Sequence, residues 1–172
     1  MCELCDGATY EEVLAREAEL IRQYGFLVMT VEGVPGWSYT IGLLDSADHP
    51  ELIAVGGEEG PRARLVHGLA TKTLDGEHFH AGDRIDLGES RIATVFMVHP
   101  IHFELEPFAM WQNLADIGAI HRHSPRAVQI LLPDVLLDGA TQPLLADPSA
   151  RIGNGPQPNR AQRRARQRHR RN

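Results

Sequence analysis

Apolar residues at Tyr10, Val13, Leu14, Ala18, Ile21 and Tyr24 recur at helical spacing. Thr9-Tyr-Glu-Glu12 ahead of them has the S/T-x-x-E form of a capping box, and Gly25 stands where a left-handed residue ends a helix. A first helix is predicted between them. The pattern then changes. Phe26 to Val31 reads as a strand, Gly33-Val-Pro-Gly36 as a turn and Trp37 to Leu43 as a second strand, which together predict an antiparallel hairpin. Glu51 to Gly56 is a third strand, and Gly60-Pro61 opens a helix from about Arg62 to Leu74 that Gly76 stops. Phe79 to Leu87 alternates in a strand-like way around Gly82-Asp83. Arg91 to His99 is apolar on both faces, which predicts a central strand, and Pro100 closes it. Glu106-Pro107 starts a helix carrying Phe108, Trp111, Leu114 and Ala115 on one side, and Ala127 to Leu132 forms a last buried strand ended by Pro133-Asp134. This order predicts an α+β domain: a mixed, mainly antiparallel sheet of about five or six strands with about three helices packed on it.

A chain of 172 residues suits one such domain and a tail. Pro, Gly and Asn crowd together without periodicity after Pro148, so residues 1–147 are expected to form the domain and residues 148–172 a linker and basic tail. Charge sharpens that division. The last thirteen residues hold seven Arg and no acid, so the formal net charge of −6 leaves −13 on residues 1–159. An acidic body is a poor nucleic-acid binder, because phosphate contacts need basic surface; only Arg160 to Arg171 suit that partner. No apolar run approaches the roughly 18 residues that cross a bilayer. The start MCELCDGATYEE lacks the basic and apolar regions of a signal peptide, so a cytoplasmic protein with no membrane partner is expected.

Three stretches carry candidate chemistry. In Trp37-Ser-Tyr-Thr-Ile-Gly-Leu43, strand alternation puts Trp37, Tyr39, Ile41 and Leu43 on one face and Ser38, Thr40 and Gly42 on the other. The small polar face leaves room for a ligand to approach the backbone, with His49 and Glu51 of His49-Pro-Glu51 at the rim; the bland alternative is an edge strand with Ser38 and Thr40 in solvent. An imidazole titrates near neutral pH, so His49 is the acid/base candidate and Glu51 the group to orient it. Gln129 lies within an apolar strand, where a buried amide needs a partner in backbone, water or ligand, and Asp134 stands just past the strand's end. These two are placed across the pocket from His49, although Gln129 also suits a tie between strands. Aromatic Trp37 and Tyr39 suit a flavin or nucleotide, but no phosphate-binding loop accompanies them. Finally, Cys2-Glu-Leu-Cys5 is half of a zinc site that His78 and His80, His99 and His102, or His121 and His123 would have to complete; a dithiol couple is the weaker reading, because no strand precedes the motif.

Taken together, Cys2-x-x-Cys5-Asp6-Gly7, Trp37-Ser-Tyr-Thr-Ile-Gly-Leu43, His49-Pro-Glu-Leu52, Gly82-Asp83 and Ala127-Val-Gln-Ile-Leu-Leu-Pro-Asp134 form one ordered pattern. It resembles the bacterial family called domain of unknown function 4262 over about residues 2–140. The resemblance implies the limits of the domain and no activity. Three functional expectations follow. The first is a domain, with or without catalysis, whose pocket for a small molecule is built on the WSYTIGL strand and HPEL turn. The second is a zinc-bound interaction protein using Cys2 and Cys5, and the third a nucleic-acid-associated protein acting through its Arg-rich tail. Oligomeric state stays open, a homo-oligomer included.

Overall fold

In the computed structural model, which describes residues 7–33, 35–104, 108–121 and 125–132, helix α1 (Tyr10–Tyr24) starts at the expected capping box. Thr9 N–H donates to the Glu12 carboxylate over 2.8 Å and Glu12 N–H to the Thr9 hydroxyl over 3.3 Å, so two of the free donors at a helix start satisfy each other's side chains. Gly25 ends the helix at φ 82°. Val13, Leu14, Ala18 and Ile21 are buried, whereas Tyr10 and Tyr24, on the margins of the same stripe, are exposed.

Six strands follow: β1 (Leu27–Val31), β2 (Trp37–Ile41), β3 (Glu51–Val55), β4 (Arg84–Asp86), β5 (Ile92–Met97) and β6 (Ala127–Leu131). They form one sheet in the order β1-β2-β3-β6-β5-β4, with every neighbouring pair antiparallel except β3 and β6. The fold is therefore α+β with a mixed, mainly antiparallel sheet, as the pattern predicts. The other helices are α2 (Leu43–Ala47), α3 (Glu59–Leu74) and α4 (Ala109–Asp116), with a 3-10 turn at Pro100–Glu104. Among the described residues no helix is long and apolar enough to cross a membrane.

Alternation along the strands divides the core. Ile53 joins Tyr39, Ile41 and Ala127 under α1 and α4, packed on Leu14, Ile21, Trp111 and Leu114. Leu52 and Ala54 point the other way, to Val66, Leu69 and Ala70 of α3. The sheet thus carries helices on both faces, and its middle strands are apolar on both. In β5, which has neighbours on both sides, Ala93 and Val95 are fully buried on the α3 face, while Met97 is half exposed.

Several boundaries differ from expectation: only Arg84–Asp86 of the strand-like stretch Phe79 to Leu87 is strand, β5 is shorter at both ends, and two further shifts have a local cause. Helix α3 begins at Glu59, ahead of Gly60-Pro61, because proline is tolerated in a first turn whose N–H groups have no helical partner. The second strand stops at Ile41 rather than running to Leu43, and the chain turns into α2, which the periodicity does not predict. Gly42 makes that turn at φ 111°, and a Cβ there would lie 2.9 Å from both Gly25 O and Ile21 Cγ2 at the end of α1. Strand continuation is lost to this packing. Residues 105–107, 122–124 and 133–172, and with them the proposed linker and tail, lie outside the described residues.

Candidate functional site

The polar face of β2 is neither open nor in solvent: Ser38 and Thr40 are 0% exposed, and each has a partner inside the protein. The β2–β3 ladder reaches Tyr39 opposite Ile53. Beyond it the Thr40 hydroxyl accepts the Leu52 N–H at 2.8 Å and donates to Glu51 Oε2 at 2.6 Å. The Glu51 carboxylate also accepts from Gly42 N–H at 2.9 Å and from Leu43 and Leu44 N–H at 3.3 Å each. Those are the free donors at the start of α2, which has no side-chain cap of its own. Glu51 is therefore a cap supplied by another element. Burial pushes its pKa up to about 7, against the four hydrogen bonds, which favour the carboxylate.

Ser38 faces Arg62 of α3. The guanidinium Nε donates to Ser38 Oγ at 3.1 Å, and the Ser38 hydroxyl also lies 3.0 Å from that of Thr30. Tyr39 points to the opposite layer, its ring edge-on to Phe108. Burial raises its pKa, while the N–H groups of Met110 and Trp111 at the start of α4 pull it back. Consecutive residues of one strand thus brace three helices: Ser38 holds α3, Tyr39 α4 and, through Glu51, Thr40 holds α2. Trp37 is half-buried at the margin of the α1–α4 core.

The expected His49–Glu51 rim is not formed. His49 is 1% exposed, and its Nε2 accepts the Phe79 N–H at 2.9 Å, which leaves the proton on Nδ1 to donate to Pro50 O at 2.6 Å. Both nitrogens are committed to backbone, burial lowers the pKa, and no hydrogen bond joins the ring to Glu51 among the described residues. His49 tethers the Phe79 segment to the HPEL turn, with His78 stacked on it at a centroid distance of 5.6 Å. Gln129 is buried between Ile53 and Phe96, yet its Oε1 has no hydrogen-bond partner among the described residues, so the expected tie between strands is not made through that oxygen. Asp134, Cys2 and Cys5 lie outside the described residues, as does His123. Among the described residues no group of three or more His, Cys, Asp or Glu could hold a metal ion. Of the histidine pairs named above, His78 and His80 have ring centroids 6.2 Å apart, and His121 is held by Asp45 at 2.8 Å.

A cavity of about 700 Å³ lies elsewhere, between α3 and the β4–β5 hairpin. Leu65, Leu69, Ile85, Leu87 and Leu132 supply its apolar wall. Arg62, Arg64, Lys72 and Arg91 line it too, against Glu58 and Asp86, an excess of cations on a body that is acidic as a whole. Strand periodicity could not indicate this cleft, since it does not say how α3 packs against the hairpin that follows it. One signal was present: Arg62 falls at the buried phase of α3, in step with Val66, Leu69, Ala70 and Thr73.

Comparison with curated proteins and with solved structures returned no match. Residues 20–136, more than half of the chain, match the family model described as domain of unknown function (DUF4262), and this protein belongs to that family.

Proposed function

We propose that this domain is a cytosolic small-molecule-binding protein whose site is the cleft between α3 and the β4–β5 hairpin, not the WSYTIGL wall. The polar side chains of that wall meet partners within the fold, whereas the cleft is open and its volume falls in the usual range of ligand pockets, about 300–1,000 Å³. The observation that carries the reading is Gly68. It lies in the middle of the 16-residue helix α3, where glycine costs about 1 kcal/mol relative to alanine. A Cβ built there meets no protein atom within 4 Å, so packing does not demand the glycine. The residue is exposed and lines the cleft, so the glycine leaves that stretch of the helix wall bare.

The test uses phenylnaphthylamine, a neutral apolar dye whose fluorescence rises on burial, titrated into the wild-type protein and into Gly68→Trp, with circular dichroism to show that both are folded. Saturable binding by the wild type and its loss in the variant are expected. Equal binding by both folded proteins would place the dye elsewhere and sink the reading.

A further inference from the structure

Arg62 is 3% exposed, and the described hydrogen-bond partners of its guanidinium are all neutral. Nε donates to Ser38 Oγ at 3.1 Å, and Nη1 donates to Gly56 O at 3.1 Å and to Gly57 O at 2.9 Å. Of the five N–H donors of a guanidinium, the two on Nη2 then donate to none of the described residues. Gly36 leaves room for that nitrogen, since a Cβ there would come within 3.0 Å of it. A buried charge without a counter-ion in contact is costly, and the carboxylate that acts on this one, Glu59, does so through space.

Arg62 and its acceptor Gly57 both line the cleft, with the exposed Arg64 on the same wall. Glu58 and Asp86 line it as well, yet neither is a hydrogen-bond partner of Arg62. Lys72 lies about 15 Å farther along the helix by its rise per residue. It is also already 3.8 Å from Glu77. Arg62 and Arg64 therefore stand together near the start of α3, with Arg91 contributed from the β4–β5 side, and the apolar wall runs from them along Leu65 and Leu69.

We propose that the ligand of this cleft is an amphipathic anion, its carboxylate, sulfonate or phosphate group seated at Arg62 and Arg64 and its apolar body lying along Leu65, Leu69 and Leu87. This rests on the reading of the cleft as a binding site. The anion supplies a counter-charge that no described residue places in contact with Arg62, and the exposed Arg64 meets it through charge-assisted hydrogen bonds that are strong in a partly dry site.

A matched pair of dyes separates the two ideas, because anilinonaphthalene sulfonate is phenylnaphthylamine with one added sulfonate. The sulfonated dye is expected to bind wild-type protein about tenfold or more tightly than the neutral dye. That margin, read as the ratio of the two affinities in each variant, disappears in the Arg62→Met, Arg64→Gln double variant and survives in Lys72→Gln. Should Arg62→Met fail to fold, Arg64→Gln alone and a salt titration of the wild type read the same margin, which shrinks in both. Equal affinity of the wild type for the two dyes, or a margin untouched by Arg64→Gln and by salt, overturns the inference and leaves the cleft standing. Failure of both dyes to bind, or binding unaffected by Gly68→Trp, overturns the cleft reading and the inference with it.

Discussion

The Thr40 hydroxyl lies 2.6 Å from the Glu51 carboxylate and at the same time 2.8 Å from the Leu52 N–H, so one side chain joins the end of the β2–β3 ladder to the cap of α2. Thr40→Val keeps the shape and removes both functions, leaving a buried N–H unpaired and Glu51 short of a donor. We expect a loss of about 2–4 kcal/mol in urea unfolding, with Thr40→Ser retaining most of it. A loss below about 0.5 kcal/mol for Thr40→Val would show that the network relaxes around its absence.

The same carboxylate makes stability depend on pH. Its pKa rises from 4.5 to about 7 on folding, so the folded state binds more protons than the unfolded state between those values. Its contribution is complete below 4.5 and is lost as pH rises through 7, a swing of about 3 kcal/mol at most. His49 acts in the opposite sense: its folded pKa lies below 6.5, so its contribution is present above 6.5 and lost as pH falls through the folded value. Urea midpoints from pH 5 to 8 for His49→Asn should fall steadily toward pH 8, and Glu51→Gln in that background should flatten the slope. A slope that survives Glu51→Gln assigns it to another group.

Arg62 and Ser38 are coupled across layers, and a double-mutant cycle measures by how much. Ser38→Ala and Arg62→Met each remove the 3.1 Å bond, so together they should cost about 1 kcal/mol less than the sum of the two. Additive losses would mean that the bond contributes nothing beyond the packing of each side chain.

Two glycines should respond to alanine with opposite signs. Gly42→Ala places a Cβ at φ 111° and within 2.9 Å of Gly25 O, so a loss of more than about 2 kcal/mol is expected. Gly68→Ala adds a methyl group to open space in a helix and should stabilise by about 0.5–1 kcal/mol, a Tm increase of about 1–4 °C. Calorimetry of the two variants reads both. A fall in Tm for Gly68→Ala would show that the glycine serves the fold and remove the main support for the cleft.

Periodic and local features were legible in the chain. Thr9, Glu12 and Gly25 bracket α1 because a capping box and a left-handed terminus are built from neighbours in sequence. The short apolar run Leu52-Ile53-Ala54 reads as a strand for the same reason. The end of β2 at Ile41 was not legible, because what bends the chain at Gly42 is contact with the end of α1. Nor was the meaning of the polar strand face. Ser38 and Thr40 announce a need for partners, but those partners stand 24 and 11 residues away, and a side chain of the protein satisfies them as well as a ligand would.

The order of helices and strands apart from α2, the mixed α+β architecture and the family all follow from the chain read along its length, since periodicity, caps and spaced motifs are properties of residues close to one another. Which polar groups are spent inside the fold, and where space remains, depends on β3 and β6 pairing in parallel and on α3 lying against the β4–β5 hairpin. Those are choices of tertiary packing between elements, which no single element's pattern fixes. They turned the expected pocket of Ser38, Thr40 and Glu51 into a filled network, and they opened a cleft beside Arg62 and Gly68 that no run of neighbouring residues describes.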